Sequence, residues 1–145
     1  MTEIAETTII DFILNELGAV DHAEADGDHF FMVRPEIMPD VDRRMPLATI
    51  VTGDRYDDAS DLEREGVYRL NIGLSKETFR TMFGEGKGEV DHTALGRMMP
   101  HPVYASTYWM CILNPDEDSW ERLKPLLEEA YDIAAARLRR GHKDG

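Results

Sequence analysis

Arg69 and Asn71 stand two residues apart in the run Val67-Tyr68-Arg69-Leu70-Asn71-Ile72-Gly73-Leu74, so an extended chain sends both side chains to one face. A guanidinium beside an amide is suited to hold a carboxylate or phosphate through paired hydrogen bonds. The same pair also has a structural reading, in which a neighbouring Asp or Glu neutralises Arg69 and Asn71 is exposed or serves loop backbone. Lys76, at the amino end of the helix that Ser75 caps, would add a weak anion-binding pole. His101 lies between Pro100 and Pro102 and beside Tyr104, on a stiff loop next to the strand of Trp109. An imidazole held there suits a general base or a structural hydrogen-bonding role. No Asp or Glu stands at a spacing that would orient the ring for catalysis, which favours the structural role. If the chain forms a ligand pocket, its expected lining is Arg69, Asn71, His101, Tyr104 and Trp109.

Other residue types offer less. Cys111, the single cysteine, lies in the apolar run Tyr108-Trp109-Met110-Cys111-Ile112-Leu113, where a thiol is a small hydrophobe rather than a nucleophile. With one cysteine, neither an intramolecular disulfide nor a thiolate metal cluster is possible. His22, His29 and His92 show no ligand spacing, so no metal and no cofactor are expected. Asp54, Asp57, Asp58, Asp61, Glu63 and Glu65 lack the alternation and central glycine of a calcium loop and read as a solvated, charged connection. Gly84-Glu85-Gly86-Lys87-Gly88 follows a helix rather than a strand, so it reads as a linker and not a phosphate loop.

The chain of 145 residues is long enough for one domain with a proper core. Its net charge of −13 is concentrated in the first half, where residues 1–66 hold 17 acids and 5 bases against 12 and 11 over residues 67–145. Such a field works against nucleic acid and anionic lipid. The amino terminus has no basic region followed by an apolar core, and no run of about 18 apolar residues occurs. A cytoplasmic protein without a membrane segment is expected.

The elements that must position these residues follow from periodicity. Ile9, Ile10, Ile13, Leu14 and Leu17 predict a helix over residues 3–17, stopped at Gly18. After an acidic turn at Asp26-Gly27-Asp28, strands are predicted at residues 29–33, 47–52 and 67–74, with a proline-containing loop between the first two. A capped helix carrying Phe79, Met82 and Phe83 comes next, then a short helix over residues 91–99. One or two strands lie between Val103 and Leu113, turning near residues 105–107. The last element is a long helix bearing Trp120, Leu123, Leu127, Ala130, Tyr131, Ala134 and Leu138, with Pro125 as a kink or a start and residues 141–145 frayed. The order is helix, three strands, helix, two strands, long C-terminal helix. This predicts a single α+β domain over residues 1–145 with an antiparallel sheet packed by helices.

The segments Arg-Leu-Asn-Ile-Gly-Leu-Ser-Lys-Glu-Thr-Phe at 69–79, Met-Pro-His-Pro-Val-Tyr-Ala at 99–105 and Trp-Met-Cys-Ile-Leu-Asn-Pro at 109–115 resemble an uncharacterised family of small bacterial proteins, over nearly the whole chain. That family is a domain of unknown function, and the resemblance implies no activity. More distantly, the element order, the Trp109 strand and the terminal helix resemble the MmcQ/YjbR-like proteins, which implies that fold and a DNA-binding role. Those proteins carry Asn-Lys-Arg-His before the tryptophan, where this chain has Ala105, Ser106, Thr107 and Tyr108 without a cation.

The residues thus favour a non-enzymatic cytoplasmic binding module for a small, anionic ligand or a protein partner. The alternatives are duplex DNA binding through Lys76, Arg80 and Arg97, and an enzyme with His101 as base. Oligomeric state is open in the sequence.

Overall fold

Two residues, Asp26 and Gly27, turn the chain between its first two strands with positive φ values of 55° and 87°, the geometry that an Asp-Gly hairpin supplies at low cost. The computed structural model describes residues 3–144, and side chains over residues 3–140. Helix α1 (Glu6–Glu16) leads into the hairpin of β1 (Val20–Ala25) and β2 (Asp28–Val33). A long loop reaches β3 (Ala48–Val51), and the acidic segment joins it to β4 (Arg69–Gly73). Helix α2 (Lys76–Phe83), β5 (Met99–Pro100), a single 3-10 turn (Ala105–Thr107), β6 (Trp109–Leu113) and α3 (Glu117–Asp144) complete the order.

The six strands form one sheet in the order β1-β2-β3-β4-β6-β5, and every neighbouring pair is antiparallel. The α+β class with an antiparallel sheet is therefore as expected, with one strand more before α2. That strand, β1, carries Asp21, His22, Ala23 and Glu24 and is mostly exposed. It offered no apolar alternation to read.

Register divides the central strands into two faces. Phe31, Ala48, Ile50, Leu70, Ile72, Met110 and Ile112 face the helices and pack with Ile9, Ile13, Phe79, Trp120, Leu123 and Leu127. Burial of this set is the main driving force of the fold. Val51, Cys111, Leu113 and Met99 lie on the other face and pack with Leu62 from the acidic segment. That segment is consequently not a solvated connection. Ser60 and Leu62 are buried, and the segment roofs the second face of the sheet.

Two further expectations change. Residues 91–99 form no helix: an Asp91 turn precedes an extended stretch, Leu95 is exposed, and Met99 pairs with Cys111. Pro100 is tolerated because β5 is an edge strand, where a missing N–H costs the sheet nothing. Helix α3 runs through Pro125 as one element. The fraying expected at residues 141–145 falls on side chains outside those described. Among the described residues no helix is long and apolar enough to cross a membrane.

Candidate functional site

Because Arg69 and Asn71 alternate with Leu70 and Ile72, β4 points them at the roofed face, and Arg69 is only 2% exposed. A buried guanidinium must fill its donors. Nε donates to Asn71 Oδ1 at 3.0 Å, Nη1 to Asp57 Oδ1 at 3.0 Å and to Ser60 Oγ at 2.9 Å, and Nη2 to Asp57 Oδ2 at 2.7 Å. Asn71 in turn donates to Thr49 Oγ1 at 2.9 Å. No buried side-chain nitrogen or oxygen among the described residues lacks a partner. Asp57 sits where the Arg69 fork would receive a ligand, and the Arg69 hydrogen bonds hold its carboxyl below the usual carboxylate range.

His101 follows β5 and lies under the same roof. Its Nδ1 accepts hydrogen bonds from the N–H groups of Val103 and Tyr104, both at 3.0 Å. The ring proton therefore resides on Nε2. Burial, assisted by the nearby Arg69 charge, depresses its pKa to about 3. A neutral imidazole whose free lone pair is committed to two amides is a turn-forming element, not a poised base. Tyr104 is exposed, with its ring 5.1 Å from the imidazole. Trp109 crosses over Gly73, where a Cβ would lie 3.1 Å from its ring atoms. Cys111 pairs with Asn71 in the register, and burial pushes its thiol up to about 12.

The fold thus places Arg69, Asn71 and Trp109 on one sheet face, with His101 and Tyr104 at its edge, but Arg69 and Asn71 bond each other and His101 bonds the amides of its own turn. The amino end of α2, the other sequence-derived anion pole, is also filled. Ser75 caps it by accepting from Thr78 N at 3.1 Å, and Glu129 of α3 accepts from the Ser75 amide at 3.3 Å and the Thr78 hydroxyl at 2.6 Å.

Two clefts open elsewhere. One, of about 330 Å³, lies between α2 with its glycine-rich sequel and the Ala105–Tyr108 turn. The other, of about 260 Å³, is bounded by Val33, Arg43, Arg44, Met45, Ala134, Arg137 and Leu138. Its wall is rigidly anchored: Arg44 grips Asp42 through Nε at 2.9 Å and Nη2 at 2.8 Å, and its Nη1 reaches Asp21 at 2.7 Å and the Val33 carbonyl at 3.0 Å. These bonds lower Asp42 to about 2 and raise Arg44 further. Arg43 and Arg137 make no ion pair among the described residues. Sequence reasoning missed this cleft because Arg43 and Arg137 are far apart in the chain and lie in a loop and a helix tail.

A third grouping also escaped notice. Across the first hairpin, His22 Nε2 and His29 Nδ1 approach to 2.9 Å. Their separation of seven residues means nothing until the Asp26-Gly27 turn sets the register Glu24↔His29.

These features define an α+β protein with a helix-covered six-stranded antiparallel sheet and a polar network closed on itself. The chain belongs to a family of unknown function, DUF6194, whose family model matches residues 2–143. This agrees with the resemblance to an uncharacterised family; the MmcQ/YjbR-like link is not shown by it. No curated protein and no solved structure matches the chain.

Proposed function

We propose that the protein is a non-enzymatic binding module for a small anion bearing an apolar group, received in the cleft between the β2–β3 loop and α3. One observation carries the reading. In a chain of net charge −13, Arg43 and Arg137 face a common cleft without a carboxylate partner among the described residues. Two guanidinium forks, one from the loop and one from α3, favour a carboxylate or phosphate, and Val33, Met45, Ala134 and Leu138 favour an apolar group beside it. The committed lone pair of His101 and the protonated thiol of Cys111 support a module without catalysis.

A protein partner is the second reading, favoured by Ile37, Met38, Val41 and Met45, all exposed on the same loop. Duplex DNA is a weaker reading, since Arg80 faces Glu85 at 3.9 Å and the overall field repels phosphate backbones.

Calorimetric titration with octanoate and with phenyl phosphate tests the proposal, with octylamine as the charge-reversed control. The expected result is binding of the anions alone, weakened at least tenfold in Arg43→Ala/Arg137→Ala. Equal affinity in that double variant, or no anion binding by the folded protein, overturns it.

A further inference from the structure

We infer that His22 and His29 form a surface site for one divalent transition-metal ion of the copper or nickel type, with two imidazoles as its protein ligands. The inference is independent of the anion cleft. It begins with the hairpin: the pairs His22↔Phe31 and Glu24↔His29 put both histidines on the same side of adjacent strands, as diagonal neighbours. Their rings are 5.1 Å apart with an interplanar angle of 24°. His22 lies almost flat on Phe31, at 4.9 Å and 9°, which restricts its rotamers before any ion arrives.

The separation of the two nitrogens suits chelation. Nitrogens each about 2.0–2.1 Å from an ion and at a right angle to one another lie about 2.9 Å apart, and the observed distance between His22 Nε2 and His29 Nδ1 is 2.9 Å. A right angle is the cis angle of tetragonal and square-planar centres, the geometry that copper(II) and nickel(II) prefer with nitrogen donors. Without metal, one ring donates its N–H to the other, so the pair holds one proton between the two facing nitrogens. Binding needs the donor ring in its other tautomer, with that proton on its far nitrogen and no net proton lost, and modest rotation of each ring turns its lone pair from its neighbour to the ion.

The surroundings favour a cation. Glu24 stands opposite His29, and Glu6 at the start of α1 lies near enough for the charges of His29 and Asp28 to act on its carboxyl. His22 is exposed on the edge strand, so an ion reaches it from solvent. No three His, Cys, Asp or Glu side chains converge as a ligand set among the described residues. Water then completes the coordination, and the site is one of moderate affinity and open positions, not a closed structural centre. His92 and His101 offer no competing pair: the first is bonded to the Pro100 carbonyl at 2.8 Å, and Nδ1 of the second is taken by two amides.

Titrating tag-free, metal-stripped protein with copper(II) chloride and following the ligand-field absorption and calorimetric heat tests the site. One equivalent is expected to bind, with nickel(II) and zinc(II) weaker in that sequence of stabilities and magnesium(II) silent. His22→Gln and His29→Gln should each lower copper affinity at least tenfold, and His92→Gln should leave it unchanged. Where a variant fails to fold, the wild-type protein decides: substoichiometric copper should broaden the ring signals of His22 and His29 first. No binding, unchanged affinity in both variants, or broadening that starts at His92 or His101 overturns the assignment.

Discussion

Asp57 grips Arg69 with both carboxylate oxygens, at 3.0 Å to Nη1 and 2.7 Å to Nη2, across twelve residues of chain. This pair fastens the acidic roof to the central strand, and Ser60 adds a third contact at 2.9 Å. Removing one partner of such a pair leaves a buried charge without compensation. Asp57→Ala should therefore cost about 3 kcal/mol of stability in denaturant unfolding, whereas replacing an exposed neighbour such as Asp58 should cost little.

The same pair sets an acid limb. Because Asp57 titrates below its unfolded value, its contribution is complete above the ordinary Asp range near ~4 and is lost as pH falls through the folded value. Stability should decline below about pH 4, and Asp57→Asn should flatten that decline while lowering the neutral-pH plateau. An unchanged acid limb in the variant would show that other carboxylates carry it.

His101 should not titrate between pH 5 and 8. Its folded pKa of about 3 lies below that of the unfolded chain, so the unfolded state takes up the proton first and stability falls as pH drops from the ordinary histidine range. Proton–nitrogen NMR should show a neutral ring with its proton on Nε2 throughout that interval. A signal moving with an ordinary histidine midpoint would contradict the geometry.

Glu129 joins α3 to the amino end of α2 through Thr78 and Ser75. Hydrogen bonds to a charged acceptor at a helix start stabilise by about 1–2 kcal/mol in total. Glu129→Ala should lower the thermal midpoint accordingly, and Glu129→Gln by less. Equal midpoints for all three proteins would remove this link from the account.

Cys111, with its thiol pushed up to about 12, should be nearly inert in the folded protein. At pH 8 its labelling by a disulfide reagent should be slower than in the unfolded chain by on the order of a hundredfold or more. Rapid labelling without loss of the fold would mean that the roof opens over β6.

The elements bearing strong periodicity were legible: α1, β2, β3, β4, the Ser75 cap and the long C-terminal helix each lie within a few residues of their predicted place. β1 was not, because a mostly exposed edge strand reading Val-Asp-His-Ala-Glu-Ala has no apolar signature. Its trace was the Asp-Gly turn. Leu95, Met98 and Met99 suggested a helix by spacing alone, whereas pairing with Cys111 places Met99 in a strand. At the candidate site, alternation showed that Arg69 and Asn71 share a face. It did not show what covered them, since a partner twelve residues away in an irregular segment leaves no periodic mark. Arg69 is paired with Asp57, as its structural reading has it, but Asn71 is buried and bonds the Arg69 and Thr49 side chains, neither exposed nor serving loop backbone. Arg43 with Arg137 and His22 with His29 are products of tertiary placement, which local pattern does not encode.

Asn114 fastens two remote pieces of chain to its own, accepting from the Tyr68 amide at 2.9 Å and donating to the Gly66 carbonyl at 2.8 Å and to Glu3 at 3.0 Å. Beside it, the Ile4 amide donates to the Pro115 carbonyl at 2.7 Å. On the ribosome, Ile4 is made early and waits for a partner translated more than a hundred residues later. The sheet cannot close around β4 until β6 has left the exit tunnel. Closure of the sheet is therefore a late event, whereas the apolar face of α1 has the neighbouring β1–β2 hairpin as its first, sequence-local cover.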